Sequence, residues 1–297
     1  MPEGDVVARV ARRLTQALGS EPLSRCELRW PQLAGADLTG QTVRVVAGYG
    51  KHLFIRTDAG WTVHTHLRMD GTWRVRRTRI PPEPLRARGV RAVLATAKWT
   101  CVGSHLGMLD LVRTRDEHRL IAHLGPDLMA SGAEAARNVQ SAARNLRDQG
   151  TRPVGEALLD QRVAAGIGTI YMAETLWEHR LNPWHPAESV PDAVALYTTA
   201  SALMRRSADG PELTATGLLA PGMRTHVHGR ARRPCRRCGV MIVEDTVGTP
   251  PYARPVFYCP RCQDPRGGQD PGGRQDPGSS QDPGGRQSRE SARPAQP

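Results

Sequence analysis

Apolar residues at Val6, Val7, Val10, Leu14 and Leu18 recur at helical spacing, with Arg12 and Arg13 on the polar side, and predict an amphipathic helix over 6–18. The period then changes. Short alternating or β-rich segments over 42–46, 52–57, 60–67, 72–75, 91–96, 99–102 and 108–112 are separated by Gly, Asp and Pro, which predicts antiparallel strands closing into a sandwich or barrel. The proline-rich stretch 80–84 reads as a loop. Beyond Leu124-Gly125-Pro126-Asp127 the text becomes rich in Ala, Leu and Arg, and helices are predicted over 139–149, 154–163, 167–178 and 190–205, punctuated by Gly150, Gly166, Gly168 and the Asn182-Pro183 stop. From Gln263 the triplet Gln-Asp-Pro recurs at Gln269, Gln275 and Gln281, with no large apolar residue to offset the entropy of ordering, so 263–297 is expected to be a disordered tail.

These segments divide the chain into 1–124, an N-terminal β-sandwich domain with a flanking helix; 125–224, a helical domain; 225–262, a small cysteine-bearing module; and the tail. The fold class is α+β. A length of 297 residues has room for about two domains of ordinary size. No segment reaches the roughly 18 consecutive apolar residues of a membrane helix. Acidic Glu3 and Asp5 sit where a secretory signal would be basic. The reading is a cytoplasmic protein with no membrane partner.

Charge narrows the class further. The formal net charge is +12, and the tail, with five acidic and five basic residues, contributes none of it. A surplus of that sign in 1–262 points to a polyanion, nucleic acid before a lipid surface, since no basic amphipathic helix stands out. Of the 41 cationic residues 39 are Arg; the two lysines, Lys51 and Lys98, are therefore worth separate scrutiny. Lys51 follows Gly48-Tyr49-Gly50 at the entry to an apolar strand, where glycine admits close backbone approach and a lysine places a point charge on phosphate. Lys98 has no such setting and reads as structural.

Four of the six cysteines read Cys235-x2-Cys238 and Cys259-x2-Cys262, with 20 residues between the pairs. That spacing suits a four-thiolate Zn2+ site, closed and tetrahedral, which folds a module and leaves no coordination position open for chemistry. Two disulfides or four unrelated thiols are the alternatives, disulfides being disfavoured in a reducing compartment. Between the pairs, 240–244 and 256–258 are β-like around the turn at Gly248-Thr249-Pro250-Pro251, a zinc-ribbon hairpin. Cys26 and Cys101 lack partner spacing and read as core thiols.

The chain starts Met1-Pro2-Glu3. Removal of Met1 would expose a secondary amine, and an α-amino group titrates near 8, far below lysine. Such an amine attacks a carbon at the aldehyde oxidation level to form an iminium, and Glu3 is placed to move protons for it. A frayed, solvated terminus is the plain alternative. Leu159-Asp160-Gln161 followed by Gly166-Ile167-Gly168-Thr169-Ile170-Tyr171 reads as helix, tight turn, helix, with backbone N–H groups at the second helix start suited to phosphate.

Taken together, Pro2-Glu3-Gly4, Gly50-Lys51-His52-Leu53, His66-Leu67-Arg68-Met69-Asp70-Gly71, the helix–turn–helix and the ribbon ending Tyr258-Cys259-Pro260-Arg261-Cys262-Gln263 resemble, in order and over 1–262, the Fpg/Nei family of bifunctional DNA glycosylases. The resemblance implies base-excision repair with AP lyase activity: Pro2 as the nucleophile on C1′, Glu3 as the acid, Lys51 on the backbone beside the lesion, Met69 as the wedge in the gap left by the extruded base. It also implies Gly168, Thr169 and Arg254 on phosphates, and Cys235, Cys238, Cys259 and Cys262 on one structural Zn2+. The partner implied is damaged double-stranded DNA, with single-stranded or bubble DNA open, bound by a nucleoid-associated monomer. Two departures stand out: Asp5-Val6 replaces the family's Pro-Glu, and Thr169 replaces its Asn. The short 214–229 segment and the Gly71-Thr72-Trp73-Arg74-Val75 strand look closer to the endonuclease VIII branch, hence to oxidised pyrimidines. The alternatives are an 8-oxoguanine-type glycosylase on the same scaffold and a zinc-ribbon DNA-binding protein without catalysis.

Overall fold

The computed structural model describes residues 2–79 and 88–264. The expected 80–84 loop and all of the expected tail beyond Asp264 lie outside the described residues.

Helix α1 (Gly4–Leu18) buries Val7, Ala11, Leu14 and Leu18, a stripe at i, i+4, i+7 and i+11. Eight strands follow: β1 (Arg25–Leu28), β2 (Val43–Tyr49), β3 (His52–Thr57), β4 (Trp61–His66), β5 (Thr72–Arg77), β6 (Val90–Ala95), β7 (Trp99–Ser104) and β8 (Met108–Arg113). They form two antiparallel sheets, ordered β1-β6-β7-β5 and β2-β3-β4-β8. Leu53, Ile55, Val63 and Leu109 from one sheet and Leu28, Leu94, Cys101 and Trp73 from the other meet the stripe of α1 in a single core. Cys101 is a core thiol, as read; Cys26 is only half-buried. Strand β1 left no periodic trace in the sequence, because it is an edge strand in which only Leu28 is buried. Strand β2 runs three residues beyond its expected end, since pairing of Tyr49 with His52 closes a two-residue turn at Gly50-Lys51.

The short α2 (His118–Ile121) leads to the helical domain: α3 (Ala133–Arg147), α4 (Val154–Leu159), α5 (Thr169–Glu178) and α6 (Ala193–Asp209). Their bounds differ from expectation for local reasons. Helix α4 ends four residues early because Asp160 turns extended and its carboxylate accepts from the Arg162 N–H and guanidinium and from Arg152. Helix α6 starts three residues late, where Asp192 caps it by accepting the Ala195 N–H at 2.8 Å. Helix α3 starts six residues early through an Ala-rich first turn with little apolar signal.

The last two strands, β9 (Val243–Val247) and β10 (Arg254–Tyr258), form the ribbon hairpin. The expected 240–244 strand is displaced because Val240 and Ile242 hydrogen-bond to Cys235, Arg232 and Arg233 in the first knuckle. The ribbon is no separate body: Val247, Val256, Phe257, Cys235 and Cys259 share one core with Leu158, Leu176 and Trp177 of the helices. Gln263, placed in the tail by its Gln-Asp-Pro triplet, belongs to this module instead. Fully buried, it accepts the Cys259 N–H through its side chain and donates to the Leu181 carbonyl. Arg9 of α1 donates to the carbonyls of Ser207, Gly210 and Pro211 at the end of α6, fastening the sandwich to the helical domain. Among the described residues no helix is long and apolar enough to cross a membrane.

Candidate active site and nucleic-acid interface

The chain's first residues lie in the seam between the two domains. Glu3 is 1% exposed and caps α5: its carboxylate accepts the N–H groups of Gly168 at 2.6 Å, Ile170 at 2.9 Å and Tyr171 at 3.4 Å. Burial raises its pKa to about 7, against the Lys51 charge and the donors from Ile170 and Gly168, which pull it down. Glycine at 168 is a matter of space, since a Cβ there would sit 2.4 Å from the Glu3 carboxyl carbon.

Lys51 stands at the tip of the β2–β3 hairpin, half-buried. Desolvation lowers its pKa, Glu3 raises it, and the charge of Arg254 on the ribbon lowers it again, so the three charged groups share one field. The hairpin is seated by Gly50, whose N–H donates to Asp127 Oδ1 at 3.1 Å and whose φ of +54° with Ala165 pressed against it leaves no room for a side chain. Opposite, residues 67–71 form a tight loop closed by the Gly71 N–H on the Leu67 carbonyl at 2.9 Å, with Met69 at its apex, 63% exposed. Pro2 and Met69 line one cavity of about 550 Å³, walled by Val6, Val10, Leu67, Trp73 and Ile170.

Pro2 and Met69 thus line one cavity, Glu3 is buried next to Pro2, and Lys51 feels the charges of Glu3 and Arg254. Gly168 and Thr169 lie at the start of α5. The Gly168 N–H, expected on DNA phosphate, is buried and committed to Glu3, which holds the helix start that phosphate was expected to occupy. Thr169 is itself buried and makes no capping bond; the cap is the Glu3 carboxylate. Lys98 pairs with Glu21 at 2.6 Å, in keeping with its structural reading.

Sequence reasoning missed Asp5. Buried at the base of α1, it accepts from the Tyr171 hydroxyl at 2.5 Å, the Ser207 hydroxyl at 2.7 Å and its neighbour Val6 N–H at 2.7 Å, tying α1 to both α5 and α6. The departure at 5 and 6 therefore exchanges two things: an inter-helix latch arrives with Asp5, and an apolar wall enters the cavity with Val6. Only the oddity of an acidic residue in an apolar helix stripe hinted at the latch.

The four ribbon cysteines have their sulfurs within 4.8 Å of one another. Cys235 and Cys262 are 3.9 Å apart and Cys238 and Cys259 3.4 Å, near the roughly 3.8 Å edge of a tetrahedron with 2.3 Å metal–sulfur bonds. Burial raises the Cys235 pKa, but N–H donors from Trp177 at 3.4 Å and Arg237 at 3.5 Å outweigh it and bring the thiol down to about 7. The donor set fits a soft divalent metal ion.

Residues 1–102 match the formamidopyrimidine-DNA glycosylase N-terminal domain and residues 124–215 the formamidopyrimidine-DNA glycosylase H2TH domain. The chain is 43% identical over 265 residues to "Probable endonuclease 8 2" of Streptomyces coelicolor, covering 89% of this chain and 94% of that one. It is 37% identical over 263 residues to "DNA-(apurinic or apyrimidinic site) lyase Nei2" of Mycolicibacterium smegmatis, at 89% and 99% coverage. The fold is that of Lactococcus lactis formamidopyrimidine DNA glycosylase solved on AP-site DNA (TM-score 0.72, 20% identity, 88% of this chain and 99% of that one) and of MutM solved with carbocyclic 8-oxo-G DNA (TM-score 0.73, 21% identity, 88% and 99%). The sandwich, the helical domain and the four-cysteine hairpin, with relatives matched over nearly their whole length, place this chain in the Fpg/Nei family of DNA glycosylase/AP lyases, on its endonuclease VIII side.

Proposed function

We propose that this protein excises oxidised bases, pyrimidines by preference, from double-stranded DNA through a Schiff base on Pro2, and then cleaves the strand by β,δ-elimination. With Met1 removed, the Pro2 nitrogen attacks C1′ of a nucleotide turned out of the duplex, since that carbon is out of reach in a stacked helix. Glu3 gives its proton to O4′ and the sugar opens, the base leaves with the proton shed by the Pro2 nitrogen, and an iminium joins Pro2 to C1′. The iminium acidifies the C2′ hydrogen; loss of that proton expels the 3′ phosphate, and a second elimination expels the 5′ phosphate. Lys51 and Arg254 hold the flanking phosphates and Met69 fills the vacated stack.

The observation that carries this reading is Glu3: a buried carboxyl, protonated to near neutral pH, one residue from the nucleophile and facing a lysine. The preference for pyrimidines rests on the 214–229 segment, which folds back on itself through Ala215 and Thr216 N–H bonds to the Arg224 carbonyl, leaving no long loop to cap a purine. Zn2+ is the metal proposed for Cys235, Cys238, Cys259 and Cys262, where it would hold the hairpin carrying Arg254. A monomer acting in the cytoplasm on nucleoid DNA completes the proposal. Sodium borohydride should trap a covalent complex with abasic-site DNA whose mass corresponds to the chain without Met1, and Pro2→Ala should reduce trapping at least a hundredfold. Equal trapping by the variant removes Pro2 from its role.

A further inference from the structure

The outer face of the β2-β3-β4-β8 sheet carries a row of imidazoles that the proposed reaction does not use. Cross-strand register sets them side by side: His52 opposite His66, Phe54 opposite His64, and His64 opposite Asp110. With a period of two residues these side chains share the face turned away from the sandwich core. His64 Nδ1 lies 2.9 Å from Asp110 Oδ2, and His64 Nε2 lies 2.8 Å from His52 Nδ1, with the two rings within 11° of parallel. His66 meets His52 edge-on at 4.8 Å, and its Nδ1 accepts the N–H of Arg68, a residue held at φ +51° beside Met69.

The donors can be assigned from one end. A carboxylate only accepts, so His64 Nδ1 carries its proton; His64 Nε2 is then the acceptor and His52 Nδ1 the donor. His64 is fully buried while Asp110 is 43% exposed, so the line runs from solvent to the residue that follows Lys51. The charged or titratable groups around it are Lys51, Arg68 and His123 on the side of His52 and His66, and Asp110 and Glu117 on the side of His64. Burial first, then these neighbours, lower His52 to about 3 and His66 to about 4, so both rings are neutral at pH 7.

We propose that Asp110, His64 and His52 are positioning residues: a hydrogen-bonded line that fixes the Lys51 hairpin and the Met69 loop in one geometry. This inference rests on the reading that Lys51 and Met69 engage DNA. It assigns work to a face that carries no reacting group and lies outside the cavity.

The test is the single-turnover rate of strand cleavage on abasic duplex at pH 7, for the wild type, Asp110→Asn, Asp110→Glu and His64→Phe. Asp110→Asn and His64→Phe should slow cleavage about tenfold at pH 7 through misplacement of the Lys51 and Met69 tips. Asp110→Glu, which keeps the carboxylate, should restore the rate. Borohydride trapping carried to completion should give wild-type yield in every variant, because Pro2 and Glu3 are untouched. Asp110→Asn changes a solvent-facing residue and keeps the test meaningful if His64→Phe fails to fold. Wild-type rates in Asp110→Asn and His64→Phe, or an Asp110→Glu variant as slow as Asp110→Asn, overturn the proposal. Failure of the wild type to trap at all overturns the Schiff-base reading instead.

Discussion

A carboxyl group set against the first turn of a helix is pulled two ways: the N–H groups favour its anion, and removal from water favours its acid. In Glu3 the second wins despite Lys51 nearby, and the proton is held to about pH 7. An unfolded glutamate ionises near 4.5, so between there and 7 the folded chain binds the extra proton, and this group's contribution to stability falls as pH rises. The same window sets the chemistry, since the acid form is present below about 7 and lost above it. Base excision measured as kcat/KM should therefore decline as pH rises past 7. Glu3→Gln should slow excision from lesion duplex by roughly 10²–10⁴-fold, and cut preformed abasic DNA far better, since no base need leave there. A variant that excises normally removes Glu3 as the acid. Pro2-Glu3 was legible as a candidate pair, because the chemistry of an imine names its residue types. Asp5 was not, because its partners Tyr171 and Ser207 are 166 and 202 positions away and nothing local marks them.

The elements show the same division between local and distant information. Cysteine spacing announced the ribbon because two thiols separated by two residues already aim at one point. Its strand bounds shifted because residues 240–242 serve the first knuckle, and Gln263 escaped notice because a repeat outweighed its burial between Leu181 and Cys259. Likewise the glycines at 166 and 168 marked a turn, yet the ligand of that helix start is the chain's own Glu3, a contact only the folded seam brings about. The ribbon shares a core with α5, and the Trp177 indole N–H rests on the Cys235 sulfur, so the metal site and the helical domain should respond together. Removing the proposed Zn2+ with a strong chelator should change Trp177 fluorescence, abolish DNA binding through loss of the Arg254 hairpin, and leave the far-UV signal of the sandwich in place. Unchanged binding after verified metal loss would show that the hairpin holds itself.

For the whole molecule, +12 overstates the charge available to DNA. Arg9 is spent on the carbonyls ending α6, Arg12 on Asp209, Arg56 on Glu117, Arg152 on Glu156 and Asp160, and Arg237 stacks on Trp177. These arginines join domains and elements in a chain that has only two lysines to offer. Lys51 from the sandwich and Arg254 from the ribbon feel each other's charge and are the pair proposed for DNA phosphate. Each phosphate neutralised contributes about −0.9 to the slope of log K against log salt. Binding to an abasic duplex should thus weaken steeply with salt, and Arg254→Ala should make the slope shallower by about one. Arg12→Ala removes the same formal charge from a guanidinium already engaged by Asp209, and its slope should match the wild type. If both substitutions shift the slope alike, total charge governs the encounter; if only Arg254 does, the cleft governs it, and the seam that seats Glu3 also decides where the DNA backbone lies.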